Sequence, residues 1–255
     1  MKKIYFIILP LLLTLLACDN IGEDDRYIEV EPINPMRRVL LEEFTGQRCT
    51  NCPAAHAIIE KLEEQYGEDL IVVSIHAGNF GIASPDGLMQ PEGNEYASRW
   101  GITAYPAGVV DREGPVLNAD QWAAAIRTAM MEPTDLDIKI EASLNESGDS
   151  IEVNTTLSAS AMTVGTLQLW VVESGIVGFQ IDGSQRLPDY IHNNVFRAAI
   201  NGLWGETITV NPNIYYNKRN TIALEEEWNI ENLSVVGFVY DSEGVIQAGK
   251  GKVEN

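Results

Sequence analysis

Two cysteines, Cys49 and Cys52, lie between a segment that reads as a strand and a segment that reads as a helix. Residues 38–44 are mostly apolar, and residues 53–66 carry apolar side chains at helical spacing with Pro53 in the first turn. A Cys-x-x-Cys pair in this place indicates a redox site or half of a zinc site. A structural zinc ion needs four ligands, and the chain has no second cysteine pair. We therefore predict no metal here.

The N-terminus reads as an export signal. Lys2 and Lys3 precede an uncharged apolar stretch over residues 4–17, which is too short for a comfortable membrane span. Its end, Leu-Leu-Ala-Cys, resembles a bacterial lipobox. We predict a lipoprotein signal peptide over residues 1–17 and acylation of Cys18, with an acidic tether over residues 18–35. The alternative is an ordinary signal peptide that leaves Cys18 as a plain thiol.

Of the three cysteines, Cys18 is assigned to lipid, which leaves Cys49 and Cys52. An exported protein lives where disulfides persist, so we expect this pair to rest oxidised or to cycle. Cys49 would sit at a helix N-terminus, where backbone N–H groups favour a thiolate, and Arg48 adds a positive charge. Cys52, a turn further in, would resolve a mixed disulfide by attacking the sulfur of Cys49.

The pattern along the chain changes near Pro133. Before it, strands and helices follow one another in the order βαβ, short helix, β, β, α, which predicts an α/β unit over residues 36–132. After it, apolar and polar residues alternate, as in residues 136–144 and 151–157, and turn signals separate about seven short strands. We predict an all-β, immunoglobulin-like sandwich domain over residues 133–255.

The charge balance excludes one class of partner. The chain has 37 acidic and 17 basic residues, for a net charge of -20, and no basic cluster. Nucleic acid binding depends on Lys and Arg that neutralise phosphates, so we expect no nucleic acid partner.

Two stretches resemble the thioredoxin superfamily. Residues 39–44, followed by Cys49-Thr50-Asn51-Cys52, are similar to its redox motif, and residues 101–106 are similar to the segment that carries its cis-proline. The resemblance implies a thioredoxin-like fold. It also implies that Glu43 assists proton transfer to the resolving sulfur, and that Pro106 shapes the substrate groove. Tyr105 and the irregular segment 77–100 depart from that pattern and are expected to narrow the groove or form a lid.

Residues 46–53, 190–197 and 235–240 resemble a narrower group, the twenty-eight-kilodalton outer-membrane-protein-related lipoproteins of Bacteroidetes. The resemblance covers nearly the whole mature chain. It implies a thioredoxin-like domain followed by a β-rich domain, on a lipoprotein of the outer membrane that faces the periplasm or the cell surface.

Two functions follow from these patterns. The first is thiol–disulfide exchange on exported proteins, with no cofactor, in which Cys49, Cys52, Glu43 and Pro106 form the site. The second is a non-enzymatic surface lipoprotein that binds an envelope or surface protein through its β domain and keeps a structural disulfide.

Other polar and aromatic residues have simpler interpretations. His56 and His76 suggest copper near the thiols, but we expect both to be structural. We expect the polar residues 192–197 to tie strands together by side-chain hydrogen bonds. Trp170, Trp204 and Trp228 are expected in the core or on a partner surface.

Overall fold

The structure, a computed structural model, describes residues 36–255. The predicted signal peptide, the acylated Cys18 and the acidic tether over residues 18–35 lie outside the described residues. Within residues 36–255, no helix has the length and apolar character needed to cross a membrane.

The first part of the described chain alternates strands and helices, as predicted. Its elements are β1 (Val39–Thr45), α1 (Cys52–Tyr66), β2 (Leu70–His76), α2 (Pro91–Arg99), β3 (Ala107–Val110), β4 (Glu113–Leu117) and α3 (Ala119–Ala129). Helix α2 begins at Pro91, because proline suits the first position of a helix.

The remaining elements are strands, apart from a short 3-10 helix at Ile230–Asn232. They are β5 (Leu136–Leu144), β6 (Ser150–Ala159), β7 (Thr163–Glu173), β8 (Ile176–Asp182), β9 (Gln185–His192), β10 (Val195–Ala199), β11 (Glu206–Val210), β12 (Tyr216–Ala223), β13 (Leu233–Tyr240) and β14 (Val245–Glu254). The sequence patterns found most of these strands but missed β8, β9 and β10.

The predicted fold class is wrong. A thioredoxin-like α/β domain followed by an immunoglobulin-like sandwich requires separate sheets, whereas strands from both parts of the chain form one mixed sheet of 12 strands. Its order is β12-β6-β5-β14-β13-β7-β10-β2-β1-β3-β4, with β11 paired to β7. The boundary predicted between residues 132 and 133 falls in the turn between α3 and β5 and stays a prediction.

Strand β10 joins the two parts of the sheet. Val195 pairs with Ser74 of β2 in parallel and with Glu173 of β7 in antiparallel orientation. Because this link joins residues more than a hundred positions apart in sequence, no local pattern could reveal it. Strands β8 and β9 stay outside the large sheet and form a hairpin of their own.

The central strands β1 and β2 are buried along their full length. Side chains alternate between the two faces of a strand, so β1 contributes to two different apolar clusters. Val39 and Leu41 pack with α1 and α3, while Leu40 and Phe44 pack with α2 and the aromatic side chains of β7, β10 and β13. A third cluster lies among β5, β6, β7, β11 and β13.

Candidate functional site

Cys49 and Cys52 form a disulfide, with their Cα atoms 5.5 Å apart. Helix α1 begins at Cys52 with Asn51 as its N-cap, so Cys49 lies in the preceding turn, where its N–H donates to the carbonyl of Gly46. Cys52 is fully buried, as the sequence predicts for the resolving cysteine, but Cys49 is only 2% exposed. The burial of Cys49 was not predicted. It means that a substrate sulfur cannot reach Cys49 unless the residues covering it move.

Residues 77–90 cover one side of the loop Gly46–Thr50, which we call the redox loop. The N–H of Arg48 donates to the carbonyl of Phe80 at 3.0 Å, and the N–H of Leu88 donates to the side-chain oxygen of Gln47 at 3.1 Å. A Cβ at Gly46 would lie 2.4 Å from the carbonyl carbon of Phe80, so this close approach requires glycine.

The hairpin β8–β9 covers the redox loop from another direction. The N–H groups of Ile181 and Gly183 donate to the carbonyls of Gln47 (2.9 Å) and Thr50 (3.0 Å). The side-chain amide of Gln180 donates to the carbonyl of Cys49 at 2.9 Å. Backbone and side chain of one strand thus hold the loop that carries the disulfide.

Glu43 lies on β1 with its side chain fully buried. Neither carboxylate oxygen has a hydrogen-bond partner among the described residues. The closest cation is the Nε2 atom of His56, 3.4 Å from Oε1. Burying a carboxylate without hydrogen bonds is costly, and such groups mark sites where the charge has a use. The structure therefore places an under-satisfied acid on the strand that leads into the redox loop.

His56 connects Glu43 to helix α1 and to the hairpin. It follows Cys52 by four residues, so both lie on one face of the helix. Its Nδ1 lies 2.7 Å from the hydroxyl of Tyr190, and its Nε2 lies 3.0 Å from the hydroxyl of Thr45. Burial alone lowers the pKa of His56, but the nearby negative charge of Glu43 outweighs this and raises the pKa above its ordinary value.

Two further histidines lie beside His56. The rings of His76 and His192 meet edge to face with centroids 5.4 Å apart. Burial, reinforced by neighbouring positive charge, lowers the pKa of both and brings that of His192 to about 4. A cavity of about 30 Å³ lies among His56, His76, Tyr190 and His192. It is large enough for a water molecule.

The Tyr105–Pro106 peptide bond is cis, as the resemblance implied. Ala107 pairs with Phe44 at the end of β1, which puts Pro106 beside the start of the redox loop. The ring of Tyr105 contacts that of Phe80, with centroids 5.4 Å apart. The groove-shaping role of Pro106 stays a prediction.

The remaining polar and aromatic candidates are placed as follows. Asn194 contacts Glu63 and Lys250 through its side chain, and its carbonyl accepts from the N–H of Ser74, so it ties strands together as predicted. Trp170 and Trp228 are buried, and Trp204 is 39% exposed. Among residues 36–255, no group of three or more His, Cys, Asp or Glu side chains is arranged to hold a metal ion.

Comparison with protein families gives a clear result. The family described as outer membrane protein Omp28 matches residues 93–255, which is more than half of the chain. The chain belongs to the Omp28 family. Membership confirms the family named by the narrower resemblance and the predicted location in the outer membrane, but not the thioredoxin-like domain that this resemblance implied. A search of curated proteins finds no match.

Solved structures extend this result. HBP35 of Porphyromonas gingivalis is 17% identical, with a TM-score of 0.70, over 86% of this chain and 76% of its own. A protein of Agrobacterium tumefaciens is 12% identical, with a TM-score of 0.52, over 86% and 95%. A domain of the outer membrane lipoprotein Omp28 from P. gingivalis is 22% identical over 48% and 89%, with a TM-score of 0.34. The first two share the overall fold of this Omp28 family chain.

Sequence reasoning missed the residues of this Omp28 family chain that come from the hairpin. Gln180, Tyr190 and the site role of His192 all depend on strands that were not predicted. A signal was present, because Gly183 and Ser184 form a two-residue connection of the kind that joins hairpin strands. The sequence draws attention to His56 only as a candidate copper ligand, which we interpret as structural.

Proposed function

We propose that the chain is a lipoprotein of the outer membrane, anchored through acylated Cys18, that carries out thiol–disulfide exchange on exported proteins. The observation that carries the exchange is the buried Glu43, which has no hydrogen-bond partner among residues 36–255 and lies 3.4 Å from His56 of α1. A static disulfide has no need of such a carboxylate, whereas a leaving or attacking sulfur needs a group that exchanges protons with it.

The exchange begins from the disulfide. A substrate thiolate attacks the sulfur of Cys49, forms a mixed disulfide and breaks the Cys49–Cys52 bond. Cys52 leaves as a thiolate and takes a proton through His56 and Glu43. A second substrate thiolate then attacks the substrate sulfur of the mixed disulfide, so the substrate becomes oxidised and Cys49 leaves as a thiolate. In reverse, Cys49 attacks a substrate disulfide, Glu43 accepts the proton of Cys52, and Cys52 resolves the intermediate.

The local structure supports these roles. The N-terminus of α1 favours negative charge on the two sulfurs. Burial raises the pKa of Tyr190 to about 12, which keeps its hydroxyl protonated as a donor to Nδ1 of His56. With Nδ1 accepting, the proton of neutral His56 is on Nε2, which lies 3.0 Å from the hydroxyl of Thr45 and 3.4 Å from Oε1 of Glu43. Tyr190 thus fixes the form of His56 that can pass a proton to the carboxylate.

Trapping of mixed disulfides tests the proposal. The Cys52→Ala variant should retain exported proteins as mixed disulfides on Cys49, and the matched Cys49→Ala variant should retain few. The redox potential of the pair, measured by alkylation across glutathione buffers, should lie above about -300 mV, since static structural disulfides fall below that value. A lower potential together with an empty Cys52→Ala trap would refute exchange.

The burial of Cys49 favours a second candidate. A lipoprotein that binds an envelope or surface protein through residues 133–255 would keep Cys49 and Cys52 permanently oxidised and covered. The exposed Trp204 is the type of residue that anchors such a contact. A low potential, an empty trap, and retained binding to whole cells after mutation of both cysteines would establish this function instead.

Acylation has its own test. Mass spectrometry of the mature N-terminus should show Cys18 with diacylglycerol attached. An unmodified N-terminus that begins later in the chain would refute the anchor without bearing on the exchange.

A further inference from the structure

Strand β8 occupies the backbone positions at which a substrate polypeptide would meet the redox loop. The donors are the N–H of Ile181, near the end of β8, and the N–H of Gly183, in the turn that follows β8. They donate to the carbonyls of Gln47 and Thr50, on either side of Cys49. A foreign extended segment also carries backbone N–H groups that can donate to these two carbonyls, which is how peptides add to exposed backbone edges.

The hairpin is built as a separable unit. It pairs only within itself and is not part of the 12-stranded sheet. An isolated two-stranded hairpin is marginally stable, so its position depends on the contacts it makes. It leaves β7 at Gly175, whose N–H donates to the side-chain oxygen of Asn193, and returns to β10 at Asn194, whose side-chain amide donates to Glu63.

Gln180 is the main side-chain link between the hairpin and the loop. Its amide nitrogen lies 2.9 Å from the carbonyl of Cys49 and 3.3 Å from that of Gly46. Its amide oxygen is buried without a partner among the described residues. The amide nitrogen of Gln180 therefore stabilises the closed hairpin, whereas its buried and unpaired amide oxygen destabilises it.

We propose that the backbone edge of the redox loop is a docking surface for an extended segment of substrate polypeptide, and that β8 is an internal occupant which the substrate must displace. The proposal rests on the exchange reaction above, because it names the substrate class and the control of that same site. A folded protein without an extended free segment cannot take the place of β8. Unfolded exported chains can, so the hairpin selects for them.

Reduction kinetics test the displacement separately from protein exchange. The rate at which a small phosphine reduces Cys49–Cys52 reports how often the hairpin opens, and it requires no substrate protein. We expect Gln180→Ala to raise this rate about ten-fold, since it removes one or two net hydrogen bonds that hold the closed state. Gln180→Glu should raise it further, because a carboxylate would face the carbonyls of Cys49 and Gly46.

The matched control is Val177→Ala on the same strand, a side chain that is 65% exposed. Its rate should equal that of the unmodified chain. Urea dependence of the rate should be much smaller than that of global unfolding, which identifies a local opening. Equal rates in Gln180→Ala and Val177→Ala, or a urea dependence equal to that of global unfolding, would overturn the displaceable hairpin.

Hydrogen exchange on the unmodified chain gives a second measurement. The amides of Ile181 and Gly183 should exchange at least ten-fold faster than those of Val171 and Val236 in the central strands, after correction for intrinsic rates. Equal protection would mean that the hairpin opens only when the whole protein unfolds, and would overturn the proposal. A hairpin that opens in a chain whose Cys52→Ala variant traps nothing would refute exchange while leaving the opening intact.

Discussion

Glu42 and Glu43 are neighbours on β1 and are both fully buried, yet they lie in opposite kinds of surroundings. Glu42 receives two hydrogen bonds from Arg112, at 3.1 and 3.3 Å. The guanidinium lies 4.6 Å from the ring centre of Phe238 and 4.5 Å from that of Tyr240. Glu43, on the other face, has only the poorly aligned His56.

The difference separates a structural charge from a functional one. A buried ion pair with good geometry and aromatic walls is a fixed part of the fold. A buried carboxylate without hydrogen bonds lowers the stability of the fold, and a functional use of the group explains why it is kept. Two adjacent residues of one strand thus show that burial alone does not reveal a role, whereas the state of the hydrogen bonds does.

The largest effect should come from the Glu42 face. Arg112→Met leaves Glu42 buried and unpaired, and we expect it to lower the free energy of unfolding by about 3–5 kcal/mol in urea titrations. Adding Glu42→Gln to the same chain should recover most of the loss, because no uncompensated charge remains. If Arg112→Met lowers the free energy of unfolding by less than about 1 kcal/mol, the ion pair of Glu42 does not stabilise the fold as we expect.

The second prediction concerns the histidines on the Glu43 side of β1, which should make the free energy of unfolding depend on pH. Burial lowers the pKa of His192 to about 4, so between pH 6.5 and 4 the unfolded chain holds a proton there that the folded chain does not. Stability should therefore fall by about 3 kcal/mol as the pH drops through this window.

His192→Gln should remove this share of the pH dependence. His76, whose pKa is also lowered, acts in the same direction, while His56, with its raised pKa, opposes it. Urea titrations of both chains at pH 7 and pH 4.5 measure the difference. If both chains lose the same free energy of unfolding between pH 7 and pH 4.5, this part of the pH dependence does not come from His192.

The third test makes the same substitution, Glu to Gln, at each of the two positions. Glu43→Gln removes a costly buried charge, so we expect the free energy of unfolding to rise by about 1 kcal/mol. Glu42→Gln, the matched change one residue away, should lower it. In stopped-flow measurements, Glu43→Gln should also slow the resolution of a mixed disulfide. A loss of stability in Glu43→Gln equal to that in Glu42→Gln would remove the distinction between the two faces.

The smallest effect concerns the hydroxyl that orients His56. Tyr190→Phe should lower the free energy of unfolding by about 1 kcal/mol through the loss of one hydrogen bond. It should also alter the pH profile of the exchange rate. Tyr240→Phe, which loses a hydrogen bond to the carbonyl of Trp204, serves as the control and should leave that profile unchanged.

Much of the local structure could be read from the sequence, but the sheet could not. The helix after Cys52 and the alternating strand β5 follow from periodicity. The merging of two expected domains depends on Val195 pairing with Ser74, which is a long-range contact without a local signature. Strands β8 and β9 have largely exposed, mixed side chains and include Pro188, so they lack the alternation that marks a half-buried strand.

The site shows the same division. Cys49, Cys52 and Glu43 are found from spacing along one stretch of sequence, and the cis bond before Pro106 from a resemblance. The contacts of Gln180 and Tyr190 with this stretch cross 131 and 134 residues of chain, and no pattern near either residue points to them.

The long stretch of chain between the redox loop and β8 affects the order in which they are synthesised and folded. The redox loop leaves the ribosome well before the strand that will cover it, and non-local pairings form late in folding. A newly exported chain therefore presents Cys49 and Cys52 openly until β8 arrives. Resistance of this disulfide to reduction is then a chemical sign that a given copy of the protein has completed its own folding.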